Sequence, residues 1–550
     1  MTGVVKLPCD DPKAHSTRCS EPAPRDAARW ILLATILGSS LSFIDGTVVN
    51  VALPVLQREL HATMANVQWV VEAYSLFLCA LILAGGSLGD RLGRRRLFAY
   101  GIVLFTAASV ICGVAPNILV LIVARAVQGV GGALLVPGSL AIIGASFDES
   151  RRGPAIGAWS AFTTVTSAAG PVIGGWLIQV ASWRWVFFIN VPLAALTLLI
   201  TFWRVPESRD PTATSRLDWE GAVLATLGLG TLVYGLIESS ALGLGSPVVL
   251  ASIAAGAVLL AVFLAVEARG TDRVALVPLS LFRSHTFSGA NLLTLLLYAA
   301  LGGALYFLPF MLQQVQGYSP AEAGAALLPM TIIIFALSRW AGGLVPRYGA
   351  KLPLIVGPII AACGFALFAI PGIGGSYWTT YFPAAIVLSL GMAIVIAPLT
   401  TAVMGSVPSE RAGVASGVNN AVARTAGLLA IALLNLVVVT VFAHDFSAAL
   451  VTLHLPPAVA RALDAQSAHL AAAQIPVGLS PAAHSAIQHA IASAFVAGFR
   501  VAMLIGAALA LASSFAAAAL IEGKSLRTIL AELSASRHTA RAAHQHPGSS

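Results

Sequence analysis

From residue 30 almost to its end, the chain alternates long apolar runs with short polar or charged ones. A helix needs about 20 apolar residues to cross the hydrocarbon core of a bilayer, and fourteen runs meet that measure. They fall at 30–53, 66–88, 97–115, 118–140, 155–180, 184–203, 218–239, 246–267, 285–311, 322–345, 352–371, 377–404, 412–442 and 491–521. The pattern predicts an all-α polytopic membrane protein with both ends on one side, because the number of crossings is even. The basic residues test this. Arg91, Arg94, Arg95, Arg96, Arg151, Arg152, Arg204, Arg209, Arg216, Arg269, Arg273, Arg283, Arg339, Arg347, Lys351, Arg411, Lys524 and Arg527 fall on one side, against Arg58, Arg184 and Arg461 on the other. Short loops rich in Lys and Arg stay in the cytosol, which places both termini there and the chain in the cell (inner) membrane.

Composition narrows the class further. Of 550 residues 58% are hydrophobic and only 10% charged, with a mean hydropathy of +0.87; a soluble domain carries about 25% charged residues. Residues 1–29 are polar and include Asp10, Asp11, Glu21 and Asp26, so they read as a cytosolic tail and not as a cleaved signal. Cys79, Cys112 and Cys363 lie in apolar runs and Cys9 and Cys19 in the tail, which implies no disulfide framework. The net charge of +8 is spread over many loops, unlike the single basic patch of a nucleic-acid binder. No G-x-x-x-x-G-K-[ST] motif is present, so ATP is not the expected energy source. No enzymatic role, cofactor or metal is expected. The histidines at 444, 454, 469, 484 and 489 match no metal-ligand spacing, and the stretch 443–490 reads as a solvated loop with a helical hairpin.

The densest chemistry lies at 88–97, L-G-D-R-L-G-R-R-R-L, between the second and third apolar runs. Gly86, Asp90, Arg91, Gly93, Arg94 and Arg95 make up G-x-x-x-D-R-x-G-R-R, which resembles the signature loop of the major facilitator superfamily. The resemblance implies two six-helix bundles that rock about a central cavity, here with two inserted spans. An internal repeat agrees, because G-S-L-G-D-R-L-G at 86–93 aligns on G-G-L-V-P-R-Y-G at 342–349, with Pro346 in place of the acid. The expected organisation is a tail at 1–29, an N-terminal bundle at 30–203, linkers and inserted spans at 204–284, a C-terminal bundle at 285–521 with an extracytoplasmic loop at 443–490, and a cytosolic tail at 522–550.

Further stretches resemble the fourteen-span drug:proton antiporter branch. L-S-F-I-D-G-T-V-V-N-V-A-L-P (41–54) carries Asp45 and Asn50, and R-A-V-Q-G (125–129) carries Arg125 and Gln128. The core of the branch's antiporter motif is G-P-V-I-G-G (170–175), with Gly170, Pro171, Gly174 and Gly175, although Thr166 stands where a glycine is expected. W-R-W-V-F-F-I-N-V-P (183–192) and Q-x-x-x-G-Y-S-P-A-E-A-G (313–324) are also similar to this branch. The resemblance implies proton-coupled export of small molecules.

The residues carry a physical reading of their own. Asp45 lies nine residues from Pro54, Glu72 six from Asn66 and Arg125 eight from Asn117, which at 1.5 Å per residue places all three about 9–14 Å below the outer face. Ionisable groups inside hydrocarbon mark pathways or proton relays. An acid, a second acid and an arginine at one depth predict a proton site, in which Arg125 favours the ionised form of one carboxylate; a structural ion pair is the alternative. Glu72 departs from the small polar residue that the branch implies. Asp90 is expected to receive the positive end of span thirteen's dipole near Ser409 when the cytosolic side is shut. Asn50, Trp69, Tyr74, Gln128, Asn291, Tyr298, Gln313 and Arg424 are the expected cavity residues, with packing or belt roles as the alternative. Tyr306 is a further aromatic candidate. The expected partners are small-molecule substrates, protons and membrane lipid, with a periplasmic adaptor where the host has two membranes. Export of one dedicated metabolite, such as an antibiotic or siderophore, is the rival reading; a transporter-like receptor or scaffold is a more distant one.

Overall fold

The structure, a computed structural model, describes residues 25–209, 218–269, 277–408, 411–464, 466–476 and 479–523. The described residues form eighteen α-helices: α1 (Arg25–Glu59), α2 (Met64–Leu92), α3 (Arg94–Val114), α4 (Ile118–Ser146), α5 (Glu149–Val180), α6 (Trp185–Phe188), α7 (Asn190–Arg204), α8 (Trp219–Leu242), α9 (Pro247–Arg269), α10 (His285–Phe310), α11 (Pro320–Ala325), α12 (Leu328–Gly342), α13 (Leu344–Tyr348), α14 (Lys351–Phe368), α15 (Tyr381–Gly405), α16 (Ala412–Thr452), α17 (Pro457–Asp464) and α18 (Pro481–Leu520). Fourteen helical stretches are long and apolar enough to cross a membrane, with α6–α7 and α11–α12 each contributing one crossing between them. The chain is a multi-pass membrane protein. Residues 1–24 and 524–550 of the two tails, Arg216, Arg273 and Ser409 lie outside the described residues.

The helices start where side chains can satisfy the free N–H groups of a first turn. Thr63 and Asn66 form a reciprocal capping box on α2, Asn117 accepts from Val120 N on α4, and Asp148 accepts from Arg151 N on α5. At the other end of α2, Gly93 has φ +116°, and Gly349 after α13 has φ +73°. The two aligned copies of the repeat thus end a helix with a backbone that favours glycine.

One expectation needs correction. The stretch 443–490 is not a loop bearing a separate hairpin: α16 runs on to Thr452 and α18 begins at Pro481. At 1.5 Å per residue the 41 residues of α16 reach about 60 Å, twice the ~30 Å hydrocarbon thickness, so the helices carry the segment clear of the bilayer. Between them lie α17 and a 3-10 turn, Ser467–Ala472, whose Leu470 is buried. The face carrying this segment is the cap face; the opposite one, where α1 starts and α18 ends, is the termini face.

Helices α1–α7 pack chiefly among themselves, through α2 on α4, α3 on α4 and α1 on α5. So do α10–α18, through α14 on α15, α10 on α18 and α10 on α16. Helix α8 lies against both α2 and α16, and α9 packs on α8. The two groups meet where α5 faces α11, and there glycine sets the distance. A Cβ at Gly175 would stand 2.2 Å from Pro320 O, and one at Gly324 2.1 Å from Pro171 O. Gly170 and Gly174 face α1 instead, where added Cβ atoms would meet Thr47 Oγ1 at 2.1 Å and Val48 Cγ2 at 2.2 Å. The G-P-V-I-G-G motif thus brings two neighbouring helices close on two faces of α5.

Gly175→Val is therefore expected to force α5 and α11 apart, because the atom met is backbone and cannot rotate away. The cap-face seam should open. In a background without native cysteines, a cysteine at Val51, fully buried here, should react severalfold faster with an impermeant maleimide; unchanged labelling would show that the glycine is dispensable.

Candidate functional site

Asp45 on α1 and Arg125 on α4 form an ion pair inside the membrane-spanning region, with side chains 0% and 1% exposed. Each partner is held by a second set of groups. Arg125 Nη1 donates to Asp45 Oδ2 and, at 2.8 Å, to Gln128 Oε1, while its Nε donates to Val70 O at 3.0 Å. Asp45 Oδ1 accepts from Gln128 Nε2 at 2.9 Å and from Asn190 Nδ2 at 3.3 Å. Asn190 is fixed in turn by Ser109 Oγ at 2.9 Å, which donates to Phe187 O. The guanidinium carbon lies 4.2 Å from the centroid of the Tyr74 ring, a cation–π distance, and the Tyr74 hydroxyl is 2.6 Å from Ser42 Oγ. Removing two charges from water costs several kcal/mol each unless the remaining donors and acceptors are satisfied, and this arrangement satisfies most of them. What it can do chemically is hold a carboxylate ionised in a nonpolar surround, with a base that stays charged.

The sequence reading grouped Glu72 with this pair. The structure separates them: both Glu72 carboxylate oxygens are buried without a hydrogen bond, and the described hydrogen bonds of Arg125 go to Asp45, Gln128 and Val70. A common depth on α1, α2 and α4 did not fix the direction in which each side chain points. Asn190 and Ser109 were not singled out as ligands. Asn190 stood in the W-R-W-V-F-F-I-N-V-P stretch, and a buried amide in an apolar run was the signal available for it.

The other candidates disperse. Tyr74 and Gln128 belong to the Asp45–Arg125 site. Trp69 packs against Tyr234 of α8, with ring centroids 6.2 Å apart. Asn291 and Thr294 both accept from Asn419 Nδ2, at 3.2 and 2.7 Å, tying α10 to α16. Asn50 and Tyr298 are partly exposed. Gln313 sits in a π-helical turn, Met311–Val315, that continues α10, and its Nε2 donates to Val51 O at 2.8 Å. With Gln314 to Gln57 (3.0 Å) and Gln57 to His469 O (3.0 Å), it joins the two groups of helices at the cap face. Arg424 is part-buried, and its Nε has no hydrogen-bond partner. Among the described residues no group of three or more His, Cys, Asp or Glu could hold a metal ion.

At the termini face Asp90 pairs with Arg94 at 2.8 Å. Ser409, near which the start of span thirteen was expected to meet Asp90, lies outside the described residues; α16 begins at Ala412. The loop is clamped by a residue that the sequence did not single out. Glu207, in the linker after α7, accepts from Arg95 N at 3.1 Å and lies 3.9 and 3.7 Å from the Nε atoms of Arg95 and Arg96. A Cβ on Gly93 would stand 2.7 Å from Glu207 Oε1, which gives Gly93 a second reason to be glycine. Gly86 packs on Pro137 and Arg91 is exposed.

Comparison with known proteins agrees with the architecture. The Major Facilitator Superfamily model matches residues 35–432. The tetracenomycin C resistance and export protein of Streptomyces glaucescens is 33% identical over 492 residues, covering 88% of this chain and 90% of that protein. The multidrug resistance protein Stp of Mycobacterium tuberculosis is 34% identical over 497 residues, covering 87% and 89%. Puromycin resistance protein pur8 of Streptomyces alboniger is 37% identical over 429 residues, covering 77% and 84%. Among solved structures, a bacterial homolog of the human lysosomal transporter Spinster, inward-facing and occupied, superposes with a TM-score of 0.63 at 16% identity, covering 90% of this chain and 98% of that one. On fold and sequence together, this chain belongs to the Major Facilitator Superfamily.

Proposed function

We propose that the protein exports lipophilic, often cationic, small molecules in exchange for protons, by alternating access between two bundles of six helices. The support is the buried Asp45–Arg125 pair, since a charge pair with dedicated amide ligands inside the membrane is costly for a chain that moves nothing. The similar proteins named for antibiotic resistance, multidrug resistance and export point the same way. In this reading Asp45 carries the proton and Arg125 stabilises the carboxylate after the proton leaves. The bundles are 30–203 and 285–521, with the inserted pair α8–α9 between them in sequence and outside the cavity.

In this reading the termini face is cytosolic and the chain lies in the cell membrane, a placement that the excess of basic residues in the loops of that face supports. The conformation is, in this reading, inward-facing, with the glycine seam and the Gln313 and Gln57 contacts holding the cap face together. Asp90, bound to Arg94, belongs to the open cytosolic gate with Gly86, Arg91, Gly93 and Arg94. Asn291, Tyr298 and Arg424 belong, in this reading, to the substrate pathway between the bundles. Substrates and protons are the working partners, with an adaptor where there is a second membrane. Everted vesicles carrying a pH-sensitive dye test this directly: adding a lipophilic cation should release protons from the lumen of acid-loaded vesicles. Efflux that continues after the proton gradient is collapsed would overturn proton coupling.

A further inference from the structure

Glu72 is left over from the site described above. It lies on α2 eight residues in from Met64, about 12 Å at 1.5 Å per residue, on the seam between the two groups of helices. Gln68, one turn earlier, lies beside its carboxyl without reaching hydrogen-bonding geometry. Gln68 Oε1 accepts from Asn435 Nδ2 of α16 at 2.7 Å. The Tyr306 hydroxyl of α10 is near enough to feel the Glu72 charge. Gln68 and Glu72 are 0% exposed, Tyr306 and Asn435 1%. Both Glu72 oxygens, Gln68 Nε2, Tyr306 OH and Asn435 Oδ1 all lack hydrogen-bond partners. Such a concentration of unsatisfied atoms, drawn from three helices and both halves of the molecule, is unusual for a buried region.

Among the described residues no cation pairs with the carboxyl. Arg125 of α4 is committed to Asp45, Gln128 and Val70 O, and Asp45 of α1 is paired with it. Arg424 of α16 lies toward Tyr74 and Cys79. The charges of α3 are Arg94–Arg96, at the opposite end of the membrane. Glu238 of α8 and His469 of the 467–472 turn make no described bond to Glu72. An ionised carboxylate enclosed without a partner is strongly unfavourable, so the seam can close over Glu72 only when a positive charge accompanies it. With 1% or less of each surrounding side chain exposed, the space suits a proton and not a drug-sized cation.

We propose that Glu72 is a second proton-binding site, loaded from the cap face, whose occupancy permits the two halves to close there. It rests on the reading that the chain alternates between open and closed cap-face states, but not on Asp45 being the coupling residue. Glu72 is enclosed in this state, so its proton returns to the cap side when the seam opens. The site therefore gates closure without adding to the exchange stoichiometry. The sign follows: the closed state is favoured while Glu72 is protonated and is lost as cap-side pH rises and the group ionises.

The test labels a cysteine at Val51 from the cap side across a range of pH, normalised to a cysteine at Val451, which is 77% exposed and corrects for thiol chemistry. In the otherwise native protein the normalised rate should rise severalfold from mildly acidic to mildly alkaline pH. In Glu72→Gln it should stay low and flat, and in Glu72→Asp the pH dependence should persist, which separates titration from shape. All three patterns should recur in an Asp45→Asn background, so that failure of the coupling assignment and failure of this gate are told apart. The same pH dependence in Glu72→Gln as in the native protein, or its loss in Asp45→Asn alone, would overturn the proposal.

Discussion

Everted vesicles containing Asp45→Asn are expected to bind lipophilic cations as the native protein does, yet to release no protons above background when the cation is added. Asparagine has nearly the volume of aspartate and its Oδ1 can still accept from Gln128 Nε2 and Asn190 Nδ2, so the local packing of α1, α4 and α7 survives. What is lost is the charge that a proton can cancel. A side chain that cannot alternate between ionised and neutral forms cannot make the free energy of either facing state depend on the proton gradient, so downhill leakage is all that remains. The substitution also leaves Arg125 enclosed without its carboxylate, and breaking a buried pair costs about 3–5 kcal/mol. The remaining bonds of Arg125 to Val70 O and Gln128 Oε1 soften that cost, and expression level must be matched before fluxes are compared. Full drug-driven proton release from Asp45→Asn vesicles would remove Asp45 from the coupling role.

The fold was legible because the bilayer permits little else. A run of apolar residues about 30 Å long must be helical when no water is present to satisfy its backbone, so α1–α5 and α14 could be placed from composition alone. The same rule failed at α16 and α18, because it marks where the membrane stops and not where the helix does. Alanine-rich sequence beyond residue 442 keeps the helix going in water. The site was legible in part. Asp45, Arg125 and Gln128 stood out as polar groups in apolar runs, and Gly170, Gly174 and Gly175 as a cluster of small ones. Depth along a helix can be counted from its ends, but rotation about its axis is set by packing, and that is why Glu72 fell on the seam while Asn190 fell on Asp45. Glu207 was hidden for another reason. It lies over a hundred residues from the loop it clamps, and a single acid in a polar linker carries no signal of its partner.

Arg125 should prove harder to replace than Asp45. Removing the guanidinium in Arg125→Ala leaves Asp45 0% exposed with only the amides of Gln128 and Asn190 for company. An uncompensated buried carboxylate is destabilising by about 3–5 kcal/mol, a cost the protein avoids by keeping a proton on Asp45 in both facing states. Proton release should then fall to background, as in Asp45→Asn, and substrate should no longer accumulate. Arg125→Lys keeps a charge but has no counterpart to the geometry here, where Nη1 serves Asp45 and Gln128 while Nε reaches back to Val70 O. It should retain a minor fraction of transport. The decisive comparison is thermal stability in detergent. If the pair acts through its charges, Asp45→Asn with Arg125→Ala should be more stable than Arg125→Ala alone at neutral and higher pH, because asparagine needs no bound proton to stay neutral inside the membrane, while transport stays lost. Additive losses of stability in the double variant would mean that the two residues act through packing. Native proton release from Arg125→Ala would end the case for the pair as the coupling element.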